Sequence, residues 1–537
     1  MPNRRPCGPA RPGWAVSSPA GRLLCAAVLA CWAAAGTASA DLQDWQHFRS
    51  FGGRTALGTI RTLAADARYV YAFSASGGAR YDKLRDQWDF DFPLQSPSFA
   101  ADFTVLDPFE NNIYFVAGQK LYPYHPISGI WYTAIEFPGA IRQLAFEAKS
   151  IAARTDRGIF LCDRWNSAVT PSARPEASFT WANGTDPQLV RNDPQLRFLL
   201  PSTMMDRWAL LHPLTAVAFE PATEYIWAAY AGMGLWRYDR VSRQGLQVTK
   251  GFLASADVLA LYGRGSQLGL AGQGGITMFD QRSGQWQQLD LLFNLDLATV
   301  AIRALAFDDQ DLFVGTGGGV VAVAQGDDYA RTITEFDGLP DERVNCLSLS
   351  GDSLWVGTDN GPALYLRGAK RAVNRWHQLS SVIVNAIAQD ARSVYLATSR
   401  GAFIIDKADS MELRRYDDAA PIEVWWELRG VAADDSMVWW LAPDGLAGRN
   451  QRSGEWRFWS RTGQYAAGQS LALATDSQYV WVGSDAGLAQ YDKRANAWRT
   501  YHQGDGLLDE AVLAVWSAGG YVWCGGRNGA SRFHWQR

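Results

Sequence analysis

The sequence predicts an all-β chain: a β-propeller array of about 11–12 four-stranded blades, packed as two propellers, with an N-terminal strand closing the last blade. Three observations lead there. A short strand-and-turn pattern, VWVGSDAGL at Val480–Leu488, returns as LWVGTDNGP from Leu354 and LFVGTGGGV from Leu312, with looser copies elsewhere. Aligned on its second residue, the pattern falls at Tyr71, Tyr114, Ala152, Trp227, Gly269, Phe313, Trp355, Tyr395, Trp439, Trp481 and Trp523. The step is about 42 residues, with a single gap of 75 between Ala152 and Trp227. Finally, the last copy stops at GASRFHWQR without an outer strand, and DLQDWQHFRS near residue 41 supplies one. There Trp45 and Phe48 are spaced like Trp498 and Tyr501.

Each unit reads as four short antiparallel strands. In the copy before the last, LALATD (Leu471–Asp476) alternates apolar and small residues as a first strand, and YVWVGS is a second, buried on both faces. DAG is a tight turn in which glycine supplies the positive φ of a hairpin. LAQYD is a third strand ended by an aspartate turn, and AWRTYH alternates large apolar and polar residues as the outer fourth strand. A β-solenoid would use shorter rungs and would not need the hairpin glycine twice per unit.

Eleven copies exceed the roughly 4–8 blades of one ring. The expected division is a first propeller over 41–255, with an irregular insertion near 165–212, and a second over 256–537. The long gap is rich in proline and asparagine early and helix-like near TMMDRWALLH, and reads as a worn blade or an insertion on one face.

Residues 1–40 read as a signal peptide: arginines 4, 5, 11 and 22 with no acid, the apolar run LLCAAVLACWAAAG, and ASA before the cleavage point. VLAC, ending at Cys31, offers the alternative of a lipid-anchored chain. No later run is apolar enough to span a bilayer. Losing the leader's four arginines moves the formal net charge from −4 to −8, and scattered charge of that sign gives no footprint for nucleic acid. Cys162, Cys346 and Cys524 remain, too far apart for a disulfide framework or a CxxC metal site, and read as buried thiols.

The stretches GDGLLDEAV (Gly504–Val512), FDGLPDERV (Phe336–Val344) and GLWRYD (Gly234–Asp239) resemble the two-component regulator propeller repeat, best over 226–537 and weakly over 57–160. That resemblance implies paired periplasmic sensor propellers that bind oligosaccharides between or above the rings. No kinase or DNA-binding segment follows the repeats in this sequence.

Enzymatic readings find little support. MFDQRSGQW and GRNQRSGEW resemble the repeat of quinoprotein dehydrogenases, but their adjacent cysteine pair is absent, as is the sialidase aspartate box. The six histidines lack metal-ligand spacing, and no G-x-S-x-G or phosphate-binding loop occurs. The acid pairs Asp434–Asp435 and Asp417–Asp418 read as solvated turns. No cofactor, metal or catalytic residue is therefore expected. Trp227, Trp355, Trp439, Trp481 and Trp523 hold one repeat position and read as core. Indoles off that grid, Trp181, Trp208, Trp425, Trp426 and Trp440, are the candidates for an exposed binding face, with Trp208 open to a buried-helix reading. The expected role is a non-enzymatic propeller scaffold for a protein partner in the cell envelope. The alternatives are a periplasmic glycan sensor working with a separate signalling protein, and a propeller hydrolase, lyase or quinoprotein-like enzyme.

Overall fold

The structure, a computed structural model, describes residues 45–535 except for internal stretches, the longest being 51–59, 93–100, 183–193, 201–211 and 417–426. Its strands form eleven antiparallel sheets, nine of four strands and two of five, and a small hairpin, Leu291–Leu292 with Leu295–Asp296. All eleven aligned positions fall on the second strand of a sheet. In the unit read first, the strands are Ser470–Thr475, Tyr479–Ser484, Gly487–Asp492 and Ala497–Tyr501.

Local chemistry explains why the pattern folds this way. The hydroxyl after V-G closes the hairpin: Thr358 donates to the Gly361 carbonyl (2.7 Å) and accepts the Asn360 N–H (3.1 Å). Thr316, Thr398 and Ser484 repeat the donation to Gly319, Gly401 and Gly487. Gly487 has φ of +118°, and a Cβ there would lie 2.4 Å from the Tyr501 carbonyl oxygen, so the turn excludes side chains. The aspartate ending the third strand is the acceptor of the next turn. Asp492 takes the N–H groups of Arg494 and Ala495, both at 2.8 Å.

The first strands of seven sheets, from the one starting at Ala260 to the one starting at Ala514, neighbour one another in a closed cycle. The last sheet is completed from the far end of the chain: Trp45–Phe48 pairs antiparallel with Ala530–His534, as expected. Trp45 stacks on Phe533 at 4.8 Å, and Phe48 on Trp523 at 5.0 Å. The DGL turn seats this strand. Gly506 has φ of +106°, its carbonyl accepts from His47 Nε2 at 2.7 Å, and a Cβ on it would meet Trp45 at 2.6 Å.

The other four sheets span 62–89, 103–136, 141–182 and 214–248, the first and fourth packing on each other. In the third, the stretch read as insertion begins with the sheet's own outer strand, Val169–Pro171. Trp181–Ala182 then adds a fifth strand beside Ile141–Phe146.

A charged contact recurs between neighbouring sheets. A cation in the turn between third and fourth strands reaches an acid in the first turn of the sheet before it. Arg164 meets Asp107 at 2.5 Å, Arg367 meets Asp308 at 2.5 Å, and Lys493 meets Asp434 at 2.7 Å. Lys83 meets Glu220 at 2.8 Å in the same relation, which puts the fourth of these sheets in the place before the first.

Candidate functional site

The aspartate turn that closes each third strand lifts the residue two places later to its tip. In the first sheet Asp82 accepts from Leu84 N (3.0 Å) and Arg85 N (3.2 Å). In the third Asp163 accepts from Trp165 N (2.9 Å) and Asn166 N (3.1 Å), and in the fourth Asp239 accepts from Val241 N and Ser242 N. In the second, the His125 ring takes the aspartate's place, accepting from Ser128 N at 3.2 Å. The tips are Leu84, Ile127, Trp165 and Val241, and all four are between 79% and 91% exposed. The same turn in the seven-sheet cycle carries Arg282, Ala408, Arg452 and Arg494. Two of the inter-sheet ion pairs, Lys83–Glu220 and Arg164–Asp107, join these turns to first turns of neighbouring sheets, so both kinds of turn share one face. Phe109, in such a first turn, is also exposed there. Four protruding apolar side chains at one repeat position, with Arg85, Arg240 and Arg243 exposed beside them, make an apolar face with a basic rim.

A second feature is a cleft of about 620 Å³ between the first sheet and the seven-sheet cycle. Tyr69, Arg80 and Asp89 stand on one side, and Gln46, Trp286, Tyr521 and Arg532 on the other. Guanidinium groups cover ring faces here: Arg80 lies 4.7 Å from the Tyr69 centroid and 5.1 Å from Phe92. Arg532 lies over Tyr521 at 4.9 Å and Trp523 at 5.2 Å. Arg80 is paired with Asp89 at 2.9 Å. Burial works against its charge, but Asp89 and the neighbouring tyrosines outweigh this and raise its pKa.

The indoles expected at a binding face fare unevenly. Trp440 is a correction: it is 1% exposed, inside a cluster with Tyr395 and Tyr416. Trp439 and Trp440 point to opposite faces of one strand, and a blade between two neighbours buries both faces. Trp181 is half-buried, its N–H donating to the Glu176 carbonyl at 3.3 Å and its ring 5.2 Å from Phe179. Trp208, Trp425 and Trp426 lie outside the described residues. Among the described residues the fully exposed indole is Trp165, which lies on the repeat grid, two places after the turn aspartate, and not off it.

Asp434 is also a correction. It sits in a turn, but its carboxylate accepts from the Trp439 N–H at 2.9 Å and pairs with Lys493. Asp417 and Asp418 are outside the described residues. The repeat-position aromatics do more than fill space. Trp481 donates to Asp476 (3.0 Å), Tyr395 to Asp390 (2.8 Å), Tyr71 to Asp66 (2.8 Å) and Trp227 to Glu220 (2.8 Å).

Cys162, Cys346 and Cys524 are unpaired, and burial pushes all three thiols up, Cys162 to about 11. Among the described residues no group of three His, Cys, Asp or Glu side chains could hold a metal ion. No helix among them is long and apolar enough to cross a membrane.

No family model and no curated protein matches the chain. Among solved structures it is similar to PorZ, a bacterial surface component of the type-IX secretion system of Porphyromonas gingivalis. The TM-score is 0.56 at 11% identity, covering 91% of this chain and 87% of that one. It is also similar to the extracellular domain of a putative one-component system from B. thetaiotaomicron, with a TM-score of 0.44 at 13% identity. That match covers 89% of this chain and 64% of that domain, so the chain spans less than two thirds of it. The extracellular domain of a putative hybrid two-component system from the same organism matches at a TM-score of 0.33 and 12% identity, covering 89% and 68%. The likeness to PorZ and the eleven antiparallel sheets bear out the propeller fold.

Proposed function

We propose that this chain is an exported, non-enzymatic binding protein of the cell envelope, built as two propellers over 41–255 and 256–537, with strand Trp45–Phe48 crossing to the second. Its role is that of a scaffold for a protein partner. The observation that carries this reading is the set of apolar tips Leu84, Ile127, Trp165 and Val241 on the N-terminal sheets, where the other sheets place polar or small residues. Repeated exposure of large apolar side chains is a cost to a free soluble surface and a gain to a covered one.

The test is a pull-down of the tagged mature protein from its native envelope, read by mass spectrometry, beside a variant with serine at all four tips. A stoichiometric partner retained by the parent and lost by the variant is the expected result. A partner retained equally by both would remove the face from the argument, and the absence of any partner would sink the scaffold reading.

A further inference from the structure

Arg532 is a half-buried arginine of the cleft that pairs with no carboxylate among the described residues. It occupies the repeat position held by Arg80 in the first sheet. There the outer strand sets Asp89 opposite Arg80, and in the last sheet the outer strand sets Gln46 opposite Arg532. The Arg532 guanidinium donates to the Gln46 amide oxygen, while its Nε has no partner. Four rings surround it, Phe48, Phe279, Tyr521 and Trp523, at 4.9–5.9 Å from their centroids. Among the described residues no carboxylate pairs with it. Burial lowers its pKa, whereas Arg80, Arg164 and Arg367 are each raised because a paired acid outweighs their burial.

An aromatic cage compensates a buried cation only in part, and an uncompensated guanidinium favours a bidentate anion. The group opens on the cleft of about 620 Å³, large enough for a ligand of a few sugar or amino-acid units. On the far wall Asp82 and Asp89 are tied to Arg68 and Arg80, and the remaining carboxylate, Asp86, accepts from the Tyr81 hydroxyl and is balanced in charge by Arg85, so the wall carries no net charge against a single carboxylate. We propose that this cleft binds a ligand bearing one carboxylate, which pairs with Arg532 where Gln46 leaves the charge unanswered. This site stands apart from the apolar tips, and the two readings fail independently.

The experiment titrates the mature chain calorimetrically with two matched pairs: N-acetyl-trialanine against its C-terminal amide, and cellobiouronic acid, a disaccharide with one carboxyl group, against its methyl ester. One acid is expected to bind about tenfold or more tighter than its neutral counterpart, and which one identifies the source of the carboxylate. Gln46→Glu supplies the missing carboxylate from within; it should abolish the acid preference and raise the melting temperature. This variant keeps the buried guanidinium in place, so its result does not depend on a fold that has lost Arg532. Equal binding of acid and neutral forms, no binding of either acid, or an acid preference that survives Gln46→Glu would each overturn the proposal.

Discussion

Asp434 shows how a turn carboxylate and a strand aromatic act as one unit. Burial alone would raise its pKa, but Lys493, the Trp439 N–H and the Ser436 N–H hold it at about 2, below the ordinary 3.8. The folded state therefore binds this proton more weakly than the unfolded chain does. The stabilisation is complete above the unfolded value and is lost as pH falls through about 4 towards 2. Asp434→Asn should cost about 1–3 kcal/mol near neutral pH. In thermal unfolding across pH, the gap between wild type and variant should narrow through that window; a gap independent of pH would show the charge to be idle. Trp523 makes the converse point. Its first turn is Gly519–Gly520 with no acid, and its buried N–H has no partner.

At the scale of elements, an ion pair between sheets differs in burial from one within a single strand. Arg164 and Asp107 are both almost wholly buried, whereas Arg414 and Glu412 are both 54% exposed. Removing Arg164 strands a carboxylate away from water, so Arg164→Ala is expected to cost about 3–5 kcal/mol. Arg414→Ala should cost no more than about 1 kcal/mol. Urea unfolding of the two variants decides this, and similar midpoints would deny the pairs between sheets any special role. The strands themselves were legible: alternation, the hydroxyl–glycine hairpin and the turn aspartate are local, and each strand of the 470–501 unit falls where its residues place it. The partners of Lys493 and Arg164 were not legible, because each acid lies in the sheet before. Trp440 was misplaced for a similar reason: that both faces of its strand are covered is decided by the neighbouring blades.

For the whole molecule, the decisive contact joins the two ends of the chain. Deleting residues 41–48 would leave Ala530–His534 as an open edge and uncover Phe533, Trp523 and Trp286. The truncated chain is expected to melt at a lower temperature and to self-associate on size-exclusion chromatography. Unchanged melting and a clean monomer would show that the strand is dispensable.

By itself the sequence determined the repeat, the blade, the approximate boundaries of its strands and the joining of the two ends. All of these follow from residues within one unit of about 42 or from a strand missing at one terminus and present at the other. Only the tertiary structure decided which residues share a surface. The tips Leu84, Ile127, Trp165 and Val241 lie in four separate units, and Gln46 faces Arg532 across almost the whole length of the chain. A repeat tells each residue its place within a blade. The closing of blades upon one another sets its neighbours, because side-by-side packing and register across the chain ends bring together residues that no local pattern relates.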